Sequence, residues 1–258
     1  MDLQLKGKTA IVTGGSAGIG LAITKALAAE GVTVTVPGRS KEKLDKALAG
    51  ISNVKAIVAD PGTTEGAASL IQQVSDTDIL VNNLGIYEPK PFVDITDDDW
   101  LKLFEVNVLS GVRLSRHYFP RMLERNWGRI IFISSESGIM TPPEMIHYGV
   151  TKSSQLAISR GLAELTKGTA VTVNTVLPGP TRSEAIAEFL SNMSSAKNPT
   201  PEEAEKEFFE KHRSSSLLQR LIEGEEIASL VAYIASPLSA ATNGAALRAE
   251  GGLLRSIA

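Results

Sequence analysis

Six short β-branched runs punctuate the chain: "TAIVT" at 9–13, "VTVTV" at 32–36, "VKAIV" at 54–58, "DILVNN" at 78–83, "RIIFIS" at 129–134 and "VTVNTVL" at 171–177. Between them lie longer stretches rich in Ala, Leu, Lys and Glu with the length of helices. Strands alternating with helices in this way build βαβ units, and those units imply a parallel sheet covered by helices on both faces. The expected fold class is α/β, a single doubly wound domain spanning 1–258. The length of 258 residues suits one such unit, and no linker or repeat divides it.

Composition narrows the function classes. The chain is 43% hydrophobic and 21% charged, as a globular protein with a sizeable core should be. A net charge of −3 gives no footprint for nucleic acid or an anionic membrane surface. The absence of cysteine excludes disulfides, thiol nucleophiles and thiolate metal sites. The opening "MDLQLKGKTAIVTGG" lacks a basic region followed by a long apolar run, so the expected location is cytoplasmic. Asp97, Asp98 and Asp99 follow Thr96 as the acidic first turn of a capped helix, a structural role rather than a metal site.

After the first run comes "TGGSAGIG" at 13–20, leading straight into helix-like sequence. Glycines between a strand and a helix let backbone approach a pyrophosphate, and the helix N-terminus offers unpaired N–H groups to it. The spacing Gly14, Gly18, Gly20 differs from G-x-G-x-x-G, but its place on the first βα unit predicts dinucleotide binding. After the second run the chain reads Pro37-Gly38-Arg39-Ser40, with no acid. A guanidinium there suits a 2′-phosphate, and Gly38 is expected to leave space for it. The turn therefore favours NADP(H), with NAD(H) the weaker alternative.

Tyr148 stands four residues before Lys152, one helical turn away on the same face. Such a pair is either an ordinary surface contact or a phenol whose proton is tuned by a cation, and the expectation is that Lys152 lowers the phenol's pKa. His147 is rotated about 100° from Tyr148 and is read as a packing or subunit-contact residue.

Together these motifs resemble the classical short-chain dehydrogenase/reductase (SDR) family. The likeness runs through "TGGSAGIG", Asp60, "NNLG" at 82–85, Asn107 in "FEVNV", "ISSESG" at 133–138, "YGVTK" at 148–152, "PGPTRS" at 178–183 and the terminal "EGG". It implies a Rossmann-like fold and a catalytic set of Asn107, Ser135, Tyr148 and Lys152. Ser135 is chosen over Ser134 because it stands thirteen places before Tyr148 and opens S-x-x-G. The cofactor positions it implies are Gly14, Ser16, Gly18, Ile19, Gly20, Arg39, Asp60 by the adenine, Asn82 by the adenosine ribose, Gly85, Tyr148, Lys152, Pro178, Gly179, Thr181 and Ser183. Three departures, Leu84, Ser183 and Glu250, remove no catalytic group.

The resemblance also implies the chemistry: interconversion of a carbonyl and an alcohol on a small molecule, with Tyr148 as general acid and base, Ser135 holding the same oxygen, and Asn107 supporting a water relay. A 3-oxoacyl reductase and a catalytically silent NADP-sensing regulator stand as alternatives. Pairing of the helices around 108–125 and 150–166 would give a homodimer or homotetramer. The polar segment 184–218, interrupted by "NPTP", is read as two short helices forming a substrate lid, against a plain surface insertion or subunit contact. "SGIMTPPEMI" and this segment are expected to give the pocket apolar walls.

Overall fold

Along the first strand, β1 (Thr9–Val12), successive side chains enter opposite cores: Ala10 and Val12 join one apolar cluster, Ile11 another. Strand β2 (Thr33–Gly38) is buried with Val34 and Val36 in the first cluster, and the edge strand β3 (Val54–Val58) is largely exposed, while the same split recurs along β4 (Ile79–Asn82), β5 (Gly128–Ile133) and β6 (Val171–Pro178). The structure is a computed structural model that describes residues 1–257. All six expected strands form. A seventh, β7 (Ala246–Ala249), pairs in parallel with β6 and has no counterpart among the β-branched runs. It is short, carries Arg248, and occupies a sheet edge, where the apolar signature is weakest.

The strand order is β3-β2-β1-β4-β5-β6-β7, with every pairing parallel. From β1 the chain moves outward through β2 and β3, then returns to β4 on the other side of β1. That reversal opens a crevice at the carboxyl ends of β1 and β4, where doubly wound folds bind ligands.

One face of the sheet is covered by α1 (Gly18–Ala29), α2 (Lys41–Leu48) and α9 (Gly224–Ala235); Ile23 and Leu27 of α1 are fully buried against Ile227 and Val231 of α9. Each buried aliphatic side chain contributes roughly 1.5–3 kcal/mol. The other face is covered by α3 (Thr64–Gln73), α5 (Ser110–Glu124) and α6 (Ile146–Glu164), with Leu114, Tyr118 and Met122 of α5 forming a buried stripe at helical spacing.

Helix α4 (Asp97–Phe104) starts as its sequence demands. Thr96 accepts the Asp99 N–H at 3.2 Å, and the Asp99 carboxylate accepts the Thr96 N–H at 2.9 Å, a reciprocal cap. Between α4 and α5 the helix widens into a π turn, Glu105–Leu109, which carries Asn107. The segment 184–218 does contain two short helices, α7 (Glu184–Met193) and α8 (Pro201–Lys211), the second opening with Pro201 behind the Thr200 cap. Among the described residues no helix is long and apolar enough to cross a membrane.

Candidate active site

The turn after β1 needs its glycines. Gly14 and Gly18 have φ of +64° and +48°, in the left-handed region that side chains disfavour. A Cβ on Gly20 would lie 2.2 Å from the Gly14 carbonyl oxygen, so the helix can sit this close to the turn only without a side chain. Ala17 precedes α1 and caps none of its N–H groups with a side chain. This bare helix end lines a cleft of about 880 Å³, together with Gly14 and Ser16. Free N–H groups, a positive helix end and a glycine floor suit a pyrophosphate, so the residues present fit a dinucleotide.

From β4, Asn83 secures the turn: its side-chain NH₂ donates to the Thr13 carbonyl at 2.9 Å, while Thr13 Oγ1 accepts the N–H groups of Asn83 and Leu84 at 2.9 Å each. Asn82, expected by the ribose, is instead buried and donates to Ser115 Oγ at 3.2 Å. As the last strand residue it is directed into the α5 packing; its neighbour Asn83 lines the cleft. Asp60 likewise turns to its own loop, accepting the Gly62 N–H at 3.0 Å. Arg39 is exposed beyond β2. The Cβ direction at Gly38 is not open space: a Cβ there would lie 2.9 Å from Leu44 Cδ2 and 3.1 Å from its Cγ in the core. Gly38 is explained by helix packing.

On the opposite wall, Ser135 ends the β5 segment and Tyr148 and Lys152 project from α6. Ser135 and Tyr148 line the same cleft as the glycine turn. Lys152 lies behind them, buried, its ammonium donating to the Ile133 carbonyl at 3.0 Å and to Gln155 Oε1 at 3.3 Å, and standing 5.5 Å from the Tyr148 ring centre. Asn107 Oδ1 accepts the Ile86 N–H at 2.8 Å, and its NH₂ donates to the Ile86 carbonyl at 2.9 Å and Thr151 Oγ1 at 3.0 Å. The π turn thus fixes Asn107 beside α6. Gly85 closes over both: a Cβ on it would lie 3.5 Å from Lys152 Nζ and 3.6 Å from Asn107 Oδ1. Ser134 donates to the Lys152 carbonyl at 2.8 Å, a brace for α6. His147 is buried and packs edge-on against Trp100, 5.9 Å away.

The electrostatics differ from the sequence expectation in one respect. The Tyr148 phenol is pushed up, not down: burial raises its pKa first, the Glu136 carboxylate adds to this, and the Ser135 hydroxyl opposes it. Lys152 does not lower it, because burial acts on the lysine too and pulls it down to about 8. Tyr148 therefore holds its proton firmly at neutral pH.

The remaining walls come from the loop after β6 and from the two short helices. Pro178, Gly179, Thr181 and Ser183 line the cleft, with Gly179 pressed so close to Glu250 that a Cβ would meet the Glu250 carbonyl oxygen at 2.8 Å. Phe189 of α7 and Phe208 of α8 form an apolar cluster with Met145 and Leu221, and Tyr148 packs against it. Met145, Ile186, Phe189 and Phe208 supply the apolar lining expected of these segments, whereas Ile139 and Met140 are exposed. Among the cleft residues that the sequence did not single out are Tyr87, Glu136 and Arg213. Glu136 was visible as an acid inside "ISSESG"; Arg213 had no signal beyond its place in the odd segment.

A glycine-floored helix end facing a Ser-Tyr-Lys wall on a doubly wound sheet has the organisation that the sequence motifs suggested. The short chain dehydrogenase profile matches residues 8–194. The chain belongs to this family. As an SDR oxidoreductase it has relatives of the same length: it is 50% identical over 263 residues to an uncharacterized oxidoreductase of Bacillus subtilis (strain 168), YvaG, covering 100% of both chains. It is 31% identical to a 3-oxoacyl-[acyl-carrier-protein] reductase of Vibrio cholerae serotype O1, over 97% of this chain and 99% of that one. Among solved structures, the L-sorbose reductase from Gluconobacter frateurii, complexed with NADPH and L-sorbose, superposes with a TM-score of 0.92 at 26% identity over 100% of both chains.

Proposed function

We propose that this SDR oxidoreductase uses NADP(H) to interconvert a ketone and an alcohol, with Tyr148 as the proton donor and acceptor. The observation that carries the reading is the sharing of one cleft by the glycine turn, the Ser135 hydroxyl and the Tyr148 phenol. A reduced nicotinamide, when bound, supplies the hydride. Gly14, Gly18 and Gly20 with the bare start of α1 would hold its pyrophosphate, and the Pro178–Gly179 loop would flank the nicotinamide. Tyr148 then gives its proton to the oxygen of the reacting carbonyl. Ser135 directs that oxygen. Lys152 and Asn107 stand behind Tyr148 on the side from which its proton is replaced. The test is oxidation of NADPH against a panel of L-sorbose, an acetoacetyl thioester and cyclohexanone. Turnover of any of these supports the reading, and tight NADPH binding with no turnover across a widened panel would favour a silent cofactor sensor.

NADPH preference rests on Arg39, which is exposed at the end of β2 with no acid beside it in the Pro37–Ser40 turn. Since Gly38 is needed by Leu44, Arg39→Ala is the clean variant. A charge-assisted contact to phosphate is worth about 1.5–3 kcal/mol, so kcat/KM for NADPH should fall roughly 10- to 100-fold while that for NADH barely changes. Equal losses with both cofactors would assign Arg39 to the turn itself.

The segment 184–218 is proposed as a lid. Its helices pack Phe189 and Phe208 beside Tyr148, and Arg182 at its base is tied to Glu223 at 2.8 Å and Glu205 at 3.1 Å. Hydrogen exchange across α7 and α8 should slow when NADPH and a ketone bind together. Unchanged exchange in the ternary complex would leave these helices as a fixed wall.

A further inference from the structure

Ser135 has one hydrogen to give, and an ionised carboxylate beside it takes that hydrogen. A hydroxyl offers one donor and two acceptor positions. Ser135 Oγ accepts the Ser137 N–H at 3.1 Å and donates to Glu136 Oε2. With Glu136 ionised, only an acceptor position is left for the cleft. In that state Ser135 can receive an alcohol's O–H, but it cannot donate to a carbonyl oxygen. Glu136 is buried, at 6% exposure, and lines the cleft itself. Its other oxygen faces Arg213 Nε at 3.9 Å. Arg213, just beyond α8 and 8% exposed, also reaches Glu144 at 3.3 Å and donates to the His212 carbonyl at 2.9 Å. Its Nε has no hydrogen-bond partner among the described residues. The guanidinium is thus held between two carboxylates by long contacts.

We infer that Glu136 is a positioning residue that sets the direction of the Ser135 hydrogen bond, and with it which of the two substrate forms, ketone or alcohol, the cleft favours. When Glu136 is protonated, its O–H donates to Ser135 Oγ, and the Ser135 hydrogen turns to the carbonyl oxygen. When Glu136 is ionised, it takes the Ser135 hydrogen, and Ser135 accepts from the alcohol. No bond to carbon changes in this step; one proton enters or leaves the carboxylate through solvent. The inference rests on the proposed ketone-alcohol chemistry of the cleft.

The groups around Glu136 support it. Burial raises its pKa first, while the Ser135 hydrogen bond and the Arg213 charge lower it. Lys152 and Tyr148 face it from α6: the carboxylate raises the pKa of both. Glu144, ahead of α6, competes for Arg213. A carboxyl with a raised value stays protonated to higher pH, so reduction is favoured below that value and declines as pH rises through it. Oxidation of the alcohol behaves in the opposite sense.

The experiment uses the full chain and measures kcat/KM for NADPH-dependent reduction of a ketone from the panel between about pH 5 and about pH 9. In Glu136→Gln the amide donates to Ser135 at every pH. The part of the falling limb that belongs to Glu136 should disappear, leaving only the decline set by Lys152, whose pKa is held down to about 8, while the low-pH plateau stays within a few-fold of wild type. In Arg213→Met the limb should move to higher pH, because the charge that favours ionisation is gone. A Glu136→Gln variant slowed uniformly with its limb unmoved would overturn the inference, since a merely structural carboxylate gives that result. A second readout needs no turnover: with glutamate labelled by ¹³C at the carboxyl, NMR titration of the NADPH-bound protein should show a resonance absent from Glu136→Gln. A midpoint above the ordinary carboxylate range, rising further in Arg213→Met, supports the inference even if the ketone panel is silent. An ordinary midpoint, insensitive to Arg213, overturns it without touching the ketone reading.

Discussion

Tyr148→Phe is expected to lower kcat for ketone reduction by about 10²–10⁴-fold and to leave NADPH binding within a few-fold of wild type. The substitution keeps the ring that packs on the Phe189 and Phe208 cluster and stands 6.1 Å edge-on from Tyr87, so the wall of the cleft survives. What is lost is the proton. Burial and the Glu136 carboxylate hold that proton on the phenol well above neutral pH, which suits a group that must donate it when a carbonyl oxygen takes on charge. The wild-type reduction rate should therefore show no loss attributable to Tyr148 ionisation through neutrality. Steady-state kinetics paired with fluorescence titration of NADPH separates the two effects. A Tyr148→Phe enzyme with near-normal kcat would remove the phenol from the reaction and shift the proton donor to Ser135 or water.

The sheet was readable because its central strands are buried on two faces, and burial on two faces writes itself as an unbroken apolar run; the exposed edge strand β3 still showed itself through its valines and isoleucine. β7 escaped because its four residues, Ala-Leu-Arg-Ala at the sheet edge, include no β-branched side chain, and there Ala246 is exposed and Arg248 is tolerated. The Tyr148 and Lys152 pair was readable because one helical turn fixes their relation. Its protonation was not, since a cation four residues away says nothing of how much water either group loses on burial. Gly38 shows the same limit. A glycine beside a cofactor turn invites a functional account, but its missing side chain answers to Leu44, which is six residues ahead in sequence and in contact only once α2 is folded against β2. Glu136 and Arg213 are 77 positions apart and meet only when the two short helices close on the end of β5.

Lys152→Met should abolish most turnover, at least roughly 100-fold, and yet raise the stability of the ligand-free protein. The ammonium is buried among the β5 backbone and Gln155 with no carboxylate bonded to it, and burial pulls its pKa from an ordinary 10.5 down to about 8. The sign follows from proton counting. Between pH 8 and 10.5 the unfolded chain binds the proton and the folded one does not, so folding gains stability as pH rises through that window and carries the full penalty below it. Each tenfold change in proton affinity is worth about 1.4 kcal/mol, which makes the penalty roughly 3 kcal/mol at neutral pH. Methionine fills similar volume without the charge. It leaves the Ile133 carbonyl and the Gln155 amide oxygen without this donor, at a cost of about 1–2 kcal/mol, so a net stabilisation of about 1–2 kcal/mol is expected. Thermal unfolding at two pH values tests both parts. Near pH 7 the variant should unfold at a higher temperature than wild type, and the difference should shrink by about pH 10 as the wild-type lysine no longer pays for its charge. A variant less stable at neutral pH would mean that the hydrogen bonds to Ile133 and Gln155 outweigh desolvation. Lys152 would then be a fastening of α6 to β5, and its charge would be no strain that the fold carries for the sake of the reaction.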